Sequence, residues 1–106
     1  MGPDIKIETI TRDISLEVDF EGDLVDAMRN AILSQDPDGI PVPYTMSGGT
    51  DNKALSELGI VGYGFSPLKL PADLDFMSLF HGVDERVPID GLIFGVRVLE
   101  NFLENC

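Results

Sequence analysis

Three features of this 106-residue sequence predict an α/β fold. Apolar and polar residues alternate over residues 14–20: Ile14, Leu16, Val18 and Phe20 point one way, and Ser15, Glu17 and Asp19 the other, which is the period of a strand. Leu24, Ala27, Met28, Ala31 and Ile32 then recur at helical spacing, and a second, longer apolar run of helical type closes the chain. Between these lie short apolar runs bounded by Gly and Pro. After residue 21 the order is therefore helix, extended, helix, strand, loop, helix, which predicts a mixed or parallel sheet flanked by helices, with too few strands for a complete one.

The elements follow in chain order. Residues 4–10 alternate Ile5 and Ile7 with Lys6 and Glu8 and read as a strand. By pattern alone they pair with residues 14–20 as a hairpin, although Thr11-Arg12-Asp13 lacks the Asn-Gly or Gly-Gly signal of a tight turn. Glu21-Gly22-Asp23 breaks the alternation, and Asp23 is placed to cap an amphipathic helix of about three turns. Asp36-Pro37-Asp38-Gly39 stops that helix, because proline removes a donor and glycine permits the turn. Residues 40–46 carry Pro41 and Pro43, so they read as extended, at most an edge strand. Thr50 or Asp51 caps a short helix through Ala54, Leu55 and Leu58, which Gly59 ends. Residues 60–65 read as a buried strand whose glycines mark close backbone approach, and residues 67–79 as a long loop.

The final helix is predicted from Pro88 to Asn105, with proline at its first position. Leu92, Val96, Leu99 and Leu103 form one stripe, and Ile93, Phe94, Val98 and Phe102 widen it almost all round. Such a helix should be largely buried. Gly91 and Gly95 would each cost about 1 kcal/mol relative to alanine in a helix interior, which makes sense if another element packs closely there.

Composition excludes several classes of partner. The net charge of −12 repels nucleic acid and anionic lipid, so neither is expected as a main partner. No apolar run reaches the ~20 residues of a membrane span, and Met1-Gly2-Pro3-Asp4 leads straight into an alternating segment rather than a signal peptide. Cys106 is the single cysteine, so no intrachain disulfide can form. A cytoplasmic location is the expectation from these features.

Two stretches carry candidate chemistry. His81, the only histidine, stands in Phe80-His81-Gly82-Val83-Asp84-Glu85-Arg86-Val87, a polar loop before the last helix. A neutral imidazole there is placed to bind a metal, with the carboxylates of Asp84 and Glu85 close in sequence. Gly48-Gly49-Thr50-Asp51 opens a helix, and backbone N–H groups at such a point, with the helix dipole, can hold a carboxylate or phosphate. The spacing fits neither a Walker nor a Rossmann loop.

Ser47-Gly48-Gly49-Thr50-Asp51-Asn52-Lys53, Gly59-Ile60, Gly64-Phe65-Ser66-Pro67 and His81-Gly82-Val83-Asp84-Glu85-Arg86-Val87 occur in that order. Together they resemble the C-terminal part of the zinc-dependent aminoacylase, acetylornithine deacetylase and carboxypeptidase family, most of all its carboxypeptidase-S-like and aminoacylase-like members. The likeness covers roughly residues 20–104. It implies a two-domain enzyme in which an α/β catalytic domain of the dinuclear-zinc exopeptidase type holds two zinc ions, and a smaller inserted lid often mediates dimerisation. On this likeness residues 1–20 are the last lid-domain strand and linker, which competes with the hairpin, and residues 21–106 are the C-terminal part of the catalytic domain. His81 matches a zinc ligand. Gly48, Gly49 and Thr50 match the turn lining the substrate carboxylate pocket. Lys53 falls where several members have arginine, keeping the charge without the bidentate fork. Asp84 and Glu85 match as groups that support the ligand or cap the helix. The implied reaction is metal-assisted hydrolysis of an amide in a small peptide or N-acyl amino acid.

The family's His-x-Asp motif, bridging aspartate and Glu-Glu pair are not in this sequence, and one histidine cannot build a catalytic zinc site that needs about three protein ligands. The expectation is therefore a fragment, inactive alone, that works with the remainder of the enzyme and forms a homo-oligomer through its last helix and residues 14–20. The alternative is a non-catalytic acidic interaction module on the same scaffold.

Overall fold

Two helices hold the fold together, and the rest of the chain is laid around them. The computed structural model describes residues 5–12 and 14–106. In it α1 spans Asp23–Gln35, α2 spans Asn52–Glu57 and α3 spans Ile89–Asn105, with a short 3-10 turn at Met77–Leu79 that the sequence reading missed. Helices α1 and α3 pack on each other. Val25, Met28 and Ala31 of α1 and Val98 of α3 are the buried apolar side chains of that contact, and Val25 and Val98 have no exposed surface at all.

The predicted α/β fold is not what forms. Among the described residues there is no strand and no sheet. Residues 5–10, 14–20, 40–46 and 60–65, read as strands or extended segments, run without the ladder that would make them strands, so among the described residues there is no lid-domain strand. Asp4 and Asp13, which the hairpin reading also uses, lie outside the described residues. The physical reason is that alternation is necessary for a strand but not sufficient. A strand exists only with a neighbour at about 4.8 Å to exchange N–H···O=C bonds, and Pro41 and Pro43 withhold two of the donors such a ladder needs. The sheet-based description of this chain as a partial dinuclear-zinc exopeptidase domain falls with the sheet.

The helices themselves match their pattern, with corrections at the ends. Gly22, not Asp23, occupies the N-cap of α1, and Asp23 and Asp26 lie in the first turn without a side-chain capping bond. There their charges favour the positive end of the helix dipole. Pro88 is the N-cap of α3 rather than its first helical residue. Gly59 ends α2 as expected: with φ 75 it donates its N–H to Ser56 O at 3.0 Å, and Ile60 N–H reaches Leu55 O at 3.1 Å, the paired bonds of a Schellman motif.

The largest correction concerns which face of α3 is covered. Its buried residues are Gly91, Gly95 and Val98. The predicted core stripe is open, with Val96 64% and Leu103 71% exposed. The glycines decide this. A Cβ on Gly95 would lie 2.5 Å from the backbone oxygen of Pro67, and one on Gly91 3.1 Å from that of Lys69. Residues 67–70 are thus laid directly on the helix backbone, the close approach that the two glycines had suggested. Lys69 Nζ adds a 3.1 Å ion pair with Asp36 after α1, and Phe65 packs on Phe102 with ring centroids 5.2 Å apart. The Cα radius of gyration is 17.5 Å, against roughly 13 Å for a compact domain of ~100 residues, so much of the chain lies out on the surface.

Candidate functional site

The His81 loop is built by short-range bonds. After the 3-10 turn, Gly82 N–H donates to Leu79 O at 2.9 Å, which folds the chain back on itself. His81 sits at the bend with φ 59, the left-handed region that non-glycine residues enter seldom. Its backbone N–H donates to Glu85 Oε2 at 3.2 Å. Arg86 Nη1 donates to the Asp84 carbonyl at 2.9 Å, which closes the other side of the loop. Phe76 and Phe80 meet edge to face beneath, with centroids 5.1 Å apart. Glu85 therefore supports the loop at the backbone of His81, and neither acidic side chain caps α3. His81 itself is exposed.

The second motif is a plain turn into α2. Gly48, Gly49 and Thr50 are exposed, and Lys53 is half-buried. Thr50 O accepts from Lys53 N–H at 3.3 Å, Asp51 O accepts from Leu55 N–H at 3.0 Å, and Ser56 Oγ donates to Lys53 O at 2.7 Å. Asp51, the N-cap, makes no side-chain capping bond. A Cβ added to Gly49 would meet nothing within 4 Å, while Gly48 lies against the Met46 side chain.

The structure brings together a different pair of motifs. An open, mainly apolar groove of about 510 Å³ runs along α3, between Ser66-Pro67 on one side and Glu85-Arg86-Val87 on the other. Leu92, Val96 and Leu99, the stripe expected in the core, form its floor. A second groove of about 470 Å³ lies beside Lys69, Asp90 and Arg97. None of Gly48, Gly49, Thr50, Lys53 or His81 lines either groove. The sequence reading missed Arg86 and Phe76 as groove residues. Only the adjacency of Arg86 to the quoted Glu85 signalled it, and nothing in the sequence signalled Phe76.

Among the described residues no group of three or more His, Cys, Asp or Glu side chains is close enough together to hold a metal ion. Nor, among them, is any helix long and apolar enough to cross a membrane. No protein-family model, curated protein or solved structure matches this chain.

Proposed function

We propose that this chain contributes to a zinc-dependent amide hydrolase of the aminoacylase, acetylornithine deacetylase and carboxypeptidase type, supplying one metal ligand, His81, to a centre whose other ligands lie outside these residues. Gly48, Gly49, Thr50 and Lys53 then belong to the pocket for the carboxylate of an N-acyl amino acid or small peptide, with Asp84 and Glu85 in support of the ligand. The observation that carries the reading is the His81–Val87 loop. The chain's only imidazole is exposed, held in an uncommon backbone conformation, and braced by the carboxylate of Glu85 at its backbone. Conformations of this kind are kept where the surroundings enforce them, and they cluster at binding sites. The reading rests on this loop and on the order of the motifs, not on the fold class. The open apolar stripe on α3 fits a chain whose surface is covered by more protein, either the remainder of the enzyme or a second copy.

The test is a chimera. The chain replaces the C-terminal segment of an established aminoacylase that retains its own His-x-Asp and Glu-Glu motifs. The chimera should bind zinc and hydrolyse an N-acyl amino acid. His81→Ala should remove part of the metal and lower turnover on the order of 100-fold or more, since even residues that only orient a ligand are worth 10–100-fold. Equal metal content and rate in the variant would assign the chain instead to the acidic interaction module, a reading favoured by its net charge of −12 and its uncovered α3 stripe.

A further inference from the structure

The N-terminal arm changes character between its two ends. Residues 5–12 are exposed throughout, with Ile10 96% exposed. Ile14 is still open at 84%. From there inward, burial alternates: Leu16, Val18 and Phe20 are half-buried, while Ser15, Glu17 and Asp19 face outward. Two contacts fix the inner end. Tyr63 Oη donates to the Asp19 carbonyl at 2.7 Å, a bond across 44 positions of the chain. The Arg29 guanidinium of α1 lies over the Phe20 ring, 4.7 Å from its centroid. One tie comes from residues 60–65 and the other from α1, so residues 19 and 20 are held from two directions just before Gly22, the N-cap of α1.

We infer that residues 16–20 are a strap latched on the body by Tyr63 and Arg29, and that this latch sets the direction in which the arm leaves. A hydrogen bond to a carbonyl and a cation–π contact are each modest at such sites, enough together to keep the strap down and little enough to let it lift.

Backbone ¹⁵N relaxation on the full chain tests the strap without any metal or activity. Order parameters near ~0.85 are expected for residues 16–20, as in rigid backbone, and below ~0.6 for residues 5–12. Tyr63→Phe, which deletes only the donor, should lower the values at residues 16–20. The double variant Tyr63→Phe/Arg29→Gln should bring them down to those of the outer arm, with α1 and α3 unchanged as internal reference. Residues 16–20 as mobile as residues 5–12 in the unaltered chain, or unmoved in the double variant, would overturn the latch. Should the double variant unfold, the contrast within the unaltered chain still decides.

Discussion

The α1–α3 pair and the two motif turns follow opposite rules of construction. In the first, everything depends on contact between distant parts of the chain. Val25 and Val98 are sealed from solvent, and residues 67–70 lie on α3 so closely that Gly95 has no room for a Cβ. In the second, the backbone bonds that shape the turns are local. The 47–53 turn and the 81–87 loop are tied by hydrogen bonds spanning four residues or fewer, and their side chains are mostly on the surface. Stability therefore resides in the helix pair, and the residues with candidate chemistry sit on turns that contribute little to it. Binding residues on local turns carried by a rigid scaffold are the common arrangement.

The largest effect expected from this contrast is at Gly95. Gly95→Ala gains about 1 kcal/mol of helix propensity, but its Cβ would press on the Pro67 carbonyl, a backbone atom that moves only if residues 67–70 lift. Overpacking of this kind typically costs 1–3 kcal/mol, so the net should be destabilising. Thermal unfolding should show a fall in Tm of roughly 4–8 °C per kcal/mol lost. Gly49→Ala is the matching change in the other region, where a Cβ meets nothing. It should stay within about 0.5 kcal/mol of the unaltered chain. Equal effects at the two sites would erase the distinction between the regions.

A comparable but local effect is expected at Gly59, where a turn does depend on its residue. With φ 75 and both Schellman bonds in place, Gly59→Ala should cost about 1–2 kcal/mol of left-handed strain. Amide exchange should show the loss confined to α2, with the α1–α3 contact untouched. Loss of protection in α3 as well would mean that the turn and the helix pair are one cooperative unit.

What could be read from the sequence divides along the same line. Helix positions came through because their signal is local: a 3.6-residue period, Gly59 after α2, Pro88 before α3. The sheet was misread because alternation over residues 14–20 and the apolar run of residues 60–65 describe half of a pairing, and the other half is a neighbour the pattern cannot supply. The buried face of α3 was misread for a related reason. Leu92, Val96, Leu99 and Leu103 made the most apolar stripe, but a helix apolar nearly all round does not say which side is met. Gly91 and Gly95 held that information, because only on their side can a backbone come close. At the candidate site, the loop around His81 was recognisable from residue types alone. The left-handed backbone of His81 and the bond from its N–H to Glu85 were not, since glycine is the ordinary sign of such a conformation and histidine enters it only in a minority of cases.

That conformation gives the finest test of the comparison. His81→Ala and His81→Gly both remove the imidazole, so under the proposed function both variants of the chimera should lose metal and turnover alike. They differ in the backbone. Alanine must keep a Cβ at φ 59, a strain of about 1–2 kcal/mol that glycine avoids. Glycine in turn gives the unfolded chain more freedom, which takes back about 0.4–1 kcal/mol. The glycine variant should therefore be the more stable of the two by roughly 0.5–1 kcal/mol by this balance, measured by urea unfolding of the isolated chain. A glycine variant less stable than the alanine variant would mean that the bend at His81 is not enforced by the loop in solution. The bracing by Glu85 would then lose its meaning for the site. Glycine more stable, with function lost in both, would show a histidine kept where another residue would fold better.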